Sequence, residues 1–358
     1  MKTAAELRCA VNHFVSLDLM EQSMIIGPND LCPCGSGKEF QHCCANKLSA
    51  DVHRAKLDDA MGEIRELLEG RSFSSLEEAN AFLSAYTQER NRAPRDNFDG
   101  LSSEQMHRFL HFPFDTPDLA SFPSRLDITP EAPILKLFSL LVEALGDQGV
   151  KSTSTGNLPR NLCRDIAMAY MGEEKYREIY RFGELRSEPE FFDLHVTRLV
   201  SGLSGFIRKY KGKFIVSGEC RKLMNKHGLA GIYPKLFRDF ATRYNWAFRD
   251  HWQPVPLIQQ SFLFSLYLLK RLGTEWQSNR YYEDWFLRAF PAVLQEVSPV
   301  GEYFSPEKIL RSCYSLRCLD SFAGFLGLVE IQRDSDKRYG DFHLKRLPLL
   351  DHVVCFHM

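Results

Sequence analysis

The densest group of reactive side chains in this 358-residue chain lies in Asn29-Asp-Leu-Cys-Pro-Cys-Gly-Ser-Gly-Lys-Glu-Phe-Gln-His-Cys-Cys44. Cys32 and Cys34 stand one residue apart, eight residues follow, and Cys43 and Cys44 are adjacent. Four thiolates suit a tetrahedral Zn2+ site with each sulfur about 2.3 Å from the metal, and two short arms joined by a reversing turn supply them with little loop entropy to lose. Gly35-Ser36-Gly37 makes the turn, Pro33 stiffens the first arm, and the glycines permit the positive φ that aims backbone amides at the sulfurs. Neighbouring Cys43 and Cys44 do not readily bond to each other across a relaxed trans peptide, so the cluster reads as metal ligands. With four cysteines filling the tetrahedron no position is left for water, and the zinc is expected to be structural. Lys38, His42 and the amides offset its negative charge, with His42 beside the metal or in solvent.

No other segment states a chemistry so directly. The sequence holds no H-E-x-x-H helix, no phosphate-binding glycine loop and no nucleophile motif, so the chain is not expected to be an enzyme; a hydrolase site assembled from distant residues is the third possibility. His107 and His111 share one helix face, but Pro113 ends that helix and no carboxylate joins them, which favours a surface pair. Cys313 and Cys318 fall on apolar helical faces and read as small hydrophobes. A basic cluster, Arg208, Lys209, Lys211, Lys213, Arg221 and Lys222, surrounds a turn at Gly212. Such a wing would neutralise phosphates, whereas a solvated hairpin tip would carry the same charges for solubility. The preceding helix is dominated by Phe192, Leu194, Val196, Leu199, Leu203 and Phe206, leaving only His195 and Arg198 to read bases, which favours the solvated tip.

Composition bounds the partners. Apolar residues make up 44%, enough for several cores, and 45 Lys and Arg nearly balance 46 Asp and Glu. Binding to a polyanion would therefore need a local patch. The 27 phenylalanines suit aromatic cores. The start, MKTAAELRCAVNHF, does not read as a signal peptide, and Leu257 to Leu269 is shorter than the roughly 20 apolar residues of a membrane span, so a cytoplasmic chain without membrane contact is expected. Ten cysteines in such a chain argue against a disulfide scaffold.

The Cys-Pro-Cys-Gly-Ser-Gly-Lys core and the adjacent Cys43-Cys44 resemble the SEC-C motif, the zinc-binding module at the C-terminal tail of the bacterial preprotein-translocase ATPase and in many bacterial proteins. The resemblance covers about residues 28 to 46 and implies that Cys32, Cys34, Cys43 and Cys44 bind Zn2+. Where family members usually carry lysines, this chain has Glu39 and Gln41 beside Phe40. Gly100-Leu-Ser-Ser-Glu-Gln-Met106 is similar to segments of bacterial proteins bearing the same motif.

The elements that must position these residues are mainly helical. Residues 1–70 are predicted to hold two helices, 1 to 25 and Leu48 to Gly70, bracketing the knuckle at 28–46. Residues 71–133 read as a helix opened by Ser74-Ser-Leu-Glu-Glu and then a Pro-rich linker from Pro94 to Pro133, interrupted by one short capped helix. Residues 134–250 are predicted to give helix, helix, hairpin and helix, a winged-helix-like order, which 251–358 are predicted to repeat. The fold class is thus mainly α, a helical N-terminal region with a zinc knuckle followed by two winged-helix-like α+β units. The expected function is that of a metal-binding interaction or adaptor protein of the bacterial cytosol. Its partner is expected to be another protein, contacting Ser36, Lys38, Phe40 and His42; the alternative is nucleic-acid binding or regulation through the wing.

Overall fold

The computed structural model describes Arg71 and residues 73–250, 252–333 and 340–358. The cysteine cluster, Ser36, Lys38, Phe40, His42 and the helices expected within 1–70 lie outside the described residues. The chain divides after Leu83. In the first part, the Arg71 guanidinium lies 4.4 Å over the Phe82 ring, and Phe73 packs against Phe82 at 5.7 Å. Helix α1, Leu76–Arg92, starts where the capping pattern predicts: Ser75 Oγ accepts from the Glu78 backbone N–H, and Glu78 accepts from that of Ser74 at 2.7 Å.

The stretch from Pro94 to Pro133, expected as a linker, is packed. A full capping box between Ser102 and Gln105 opens α2, Ser103–His111, whose Met106 and Phe109 are buried. Leu101, Leu119, Ala120 and Leu126 are buried too. Strand β1, Ala120–Ser121, pairs antiparallel with β8, Cys355–Phe356, near the chain's end. The prolines do break the helical pattern, yet the apolar residues between them bury enough surface to hold the extended pieces on the core.

Two stretches of chain then follow the same order. Pro133 occupies the first turn of α3, Pro133–Leu145, where its missing N–H costs nothing. After α3 come β2, Val150–Lys151, and the helices α4, Arg160–Met171, α5, Glu173–Ile179, and α6, Phe192–Leu203. The hairpin of β3, Ile207–Tyr210, and β4, Lys213–Val216, completes an antiparallel sheet of order β2-β4-β3. Helices α7, Gly218–His227, α8, Leu229–Thr242, and α9, Pro256–Gln260, lead on to α10, Phe262–Leu272. Then come β5, Gln277–Ser278, α11, Asn279–Ala289, and α12, Pro306–Tyr314, which continues as a π-helix over Ser315–Gly324. Strands β6, Val329–Gln332, and β7, His343–Arg346, give a second sheet of order β5-β7-β6, and α13, Leu349–Val353, precedes β8. One detail repeats as well: Ser217 N–H donates to Phe206 C=O at 2.8 Å, and Leu347 N–H to Leu328 C=O at 2.8 Å, each extending its hairpin by one bond.

The phenylalanines serve the core. Phe322, from the π-helix, packs against Trp246 at 4.6 Å and meets Phe240 and Phe262 at 5.9 Å each, while the buried Tyr233 hydroxyl donates to Leu326 C=O at 2.7 Å. Such rings contribute beyond the area they bury and fuse the two stretches into one continuous core. No described helix is long and apolar enough to cross a membrane.

Candidate functional site

Among the described residues the basic cluster is the site that the fold builds most clearly. Lys211 and Gly212 both have positive φ, 48° and 74°, the backbone of a two-residue turn whose twist matches the flanking strands. That turn fixes the register Tyr210↔Lys213, Lys209↔Phe214, Arg208↔Ile215 and Ile207↔Val216. Alternation then sends Ile207, Phe214 and Val216 into the core and leaves Arg208, Tyr210 and Lys213 exposed on the opposite face. Strand β2 adds Lys151 opposite Lys213, so Lys151, Lys213 and Tyr210 form one row across three strands, with Arg208 a step along the same face.

Glycine makes that row possible. Gly149 has φ +65°, and a Cβ there would lie 2.4 Å from the Phe214 carbonyl oxygen and 2.6 Å from Ile215 Cγ2. Gly149→Ala is expected to cost roughly 1–3 kcal/mol through backbone strain and to displace β2, with Lys151, from β4. Thermal unfolding of the variant checks this, and an unchanged midpoint would contradict it.

The six residues singled out in the sequence are not equivalent. Lys213 Nζ donates to Gln148 C=O at 3.3 Å, Lys211 lies 5.4 Å over the Tyr210 ring, and Arg208 projects from the exposed face. Lys209 shares the other face and leans over the Phe214 ring at 5.8 Å, and the Arg198 guanidinium lies over the same ring at 5.1 Å. Arg221 is tied to Asp147 at 2.6 Å and to Gly146 C=O at 2.9 Å, while Lys222 is exposed on α7. Glu219, at the sheet's margin, pairs with Lys235 at 2.7 Å; that hydrogen bond, the Lys235 charge and the Arg208 charge hold its carboxyl below the usual range. Sequence reasoning missed Lys151 and Tyr210. Tyr210 stood legibly between basic residues, whereas a two-residue strand carries no periodic signal for Lys151.

Helix α6, which precedes the hairpin, is not free to read bases. Leu194, His195, Val196, Thr197, Val200 and Ser201 are buried. Its two polar candidates are both engaged with Glu188, which is 0% exposed: His195 Nδ1 meets a carboxylate oxygen at 2.7 Å, Arg198 Nε donates to the same oxygen, and Leu158 N–H donates to the other. The matching helix of the second stretch, α12 with its π extension, buries Ile309, Leu310, Cys313, Tyr314, Arg317 and Cys318. The second sheet's exposed face carries Glu330 opposite Lys345 and Gln332 opposite His343, a mixed pattern.

The remaining candidates carry less chemistry. The His107 and His111 rings lie 4.5 Å apart, tilted by 43°, on an exposed face of α2, and the described residues contain no group of three or more His, Cys, Asp or Glu able to hold a metal. Burial pushes the Cys313 thiol up to about 11 and that of Cys318 up to about 12, so both are protonated at neutral pH and pack as apolar groups. A cleft of about 890 Å³ between α3 and β6 is lined by Leu135, Tyr170, Phe325 and Ile331. Two of its cations are engaged internally: Lys136 donates to Tyr170 C=O, and Arg333 pairs with Asp320.

Residues 29–46 match the SEC-C motif, a zinc-binding module of general kind, and the match is confined to that segment. No curated protein and no solved structure matches the chain.

Proposed function

We propose that this chain is a zinc-binding interaction protein, an adaptor of the bacterial cytosol that presents a knuckle to a macromolecular partner. The observation that carries this reading is the SEC-C match over 29–46, with Cys32, Cys34, Cys43 and Cys44 as a complete set of soft donors. One Zn2+ held by four thiolates fixes the short loop between the cysteine pairs. Ser36, Lys38, Phe40 and His42 are then the side chains that this loop offers to another protein. Two winged-helix-like units form the scaffold; the repeated order of helix, strand, helices and hairpin supports this assignment, and the buried α6 and α12 suit docking or structural duty over base reading.

A pull-down from native lysate with the intact chain and with Cys43→Ser, Cys44→Ser tests the reading. The expected result is a protein partner that is lost together with the metal. Partners that stay bound after zinc is lost would make the knuckle a structural clip and contradict it.

A second reading, nucleic-acid contact through the first hairpin, is favoured by one observation: Arg208 and Lys211 are exposed at a tip that also carries Tyr210, 57% exposed.

A further inference from the structure

Resting on that second reading, we infer that the exposed face of the β2-β4-β3 sheet binds the phosphate backbone of duplex nucleic acid without reading base sequence. Lys151, Lys213 and Arg208 lie on that face and Lys211 sits at its tip. None of the four forms an ion pair among the described residues, while the nearby carboxylates Asp147 and Glu219 are taken by Arg221 and Lys235. Four cations on a pleated surface with strands about 4.8 Å apart make a dense positive field on a chain with formal net charge -1.

The second sheet provides an internal comparison. It has the same strand order and the same extra hairpin bond, yet its exposed face sets Glu330 against Lys345 and Gln332 against His343. The architecture alone therefore does not demand a basic face, and solubility of a hairpin does not either. Concentration of charge on one of two like sheets is what a polyanion ligand selects.

The geometry also restricts the mode of binding. With α6 buried and its His195 and Arg198 holding Glu188, that helix is not free to enter a groove, and the exposed sheet face carries the contact. Lysine and arginine contacts from such a face go to phosphate oxygens, which fix position without specifying sequence. A membrane surface suits the patch less well: interfacial binding uses a broad apolar face, and here Tyr210 is the one large exposed aromatic on the sheet.

Fluorescence anisotropy of the full chain with two short duplexes of unrelated sequence, between about 50 and 200 mM salt, tests the proposal. The expected result is affinity for the two duplexes equal within about threefold and a log K versus log salt slope of about −4, from four neutralised phosphates. Lys151→Ala and Lys213→Ala should each reduce the slope by about one and weaken both duplexes equally. Lys345→Ala, on the second sheet, should leave both unchanged, and circular dichroism of each variant reports that it is folded. A strong preference for one duplex or for single strands, lost in Lys213→Ala, would overturn backbone recognition while leaving the hairpin as a nucleic-acid contact. Duplex binding insensitive to Lys151 and Lys213 would overturn the assigned face. Binding by the intact chain to neither the duplexes nor their separated single strands would overturn both readings, including the case where it binds anionic vesicles instead.

Discussion

Glu188→Ala is expected to destabilise the part of the chain spanning Ser84–Met358 by about 3–5 kcal/mol, the range for removing one partner of a buried ion pair and stranding the other. Glu188 is fully buried, Arg198 keeps 13% of its side chain exposed and His195 10%. Three donors converge on this one carboxylate: Leu158 N–H from the start of α4, and His195 and Arg198 from α6. Without it, Arg198 keeps a charge with no counter-ion, and Leu158 N–H loses its acceptor. Glu188→Gln should cost less, because an amide oxygen still accepts.

The same site sets a pH dependence. Burial pushes the Glu188 carboxyl up, but the His195 hydrogen bond, the Arg198 charge and the Leu158 N–H outweigh it and hold the group below the usual glutamate range. A carboxyl depressed in the folded state contributes stability that is complete above the unfolded value of about 4.3 and is lost as pH falls through the folded value. Urea unfolding at neutral and acidic pH measures both effects. An unchanged midpoint for Glu188→Ala, or an acid dependence that Glu188→Gln leaves intact, would contradict them.

Arg317→Leu carries the second large effect, also about 3–5 kcal/mol by the same mechanism. Arg317, 2% exposed, holds Asp250 bidentately at 2.8 and 2.6 Å and also donates to Trp252 C=O and Gln253 C=O at 3.3 and 3.2 Å. It thereby ties the segment after α8 to the π-helix. The single substitution strands a carboxylate whose side chain is 6% exposed. Replacing both partners, Arg317→Met with Asp250→Leu, should recover most of the loss, since an apolar pair of similar volume carries no desolvation cost. Chemical denaturation of the single and double variants decides it: a double variant no better than the single one would mean that the guanidinium's bonds to the two carbonyls dominate.

Helices were legible where their ends are marked. Ser74 to Glu78 announce α1, and Ser102 with Gln105 announce α2, each satisfying an N–H that would otherwise lack a partner, whereas Pro133, read as the end of the linker, is the first residue of α3. The first hairpin was legible because Lys211-Gly212 interrupts two alternating runs. Strands β2 and β5 were not, because two residues cannot display a period; their places depend on partners far along the chain, as with Gly149 against Phe214. The packing of residues 94–133 was hidden for a related reason, since Pro residues signal where helices stop and say nothing of what the extended pieces touch. Nothing in Ser187-Glu-Pro-Glu190 distinguishes the buried Glu188 from Glu190, because the donors that pay for its burial come from α4 and α6. Of the candidate sites, the cysteine cluster needs no tertiary information, since its four cysteines lie within a short segment. The cationic face needed the sheet register, which added Lys151 and set Lys209 and Arg221 apart.

The central claim, a zinc-binding knuckle that recognises a partner, is tested most directly by native mass spectrometry of the intact chain beside Cys43→Ser, Cys44→Ser. The account predicts one zinc per intact chain and none in the variant; an intact, folded chain purified without metal would contradict it.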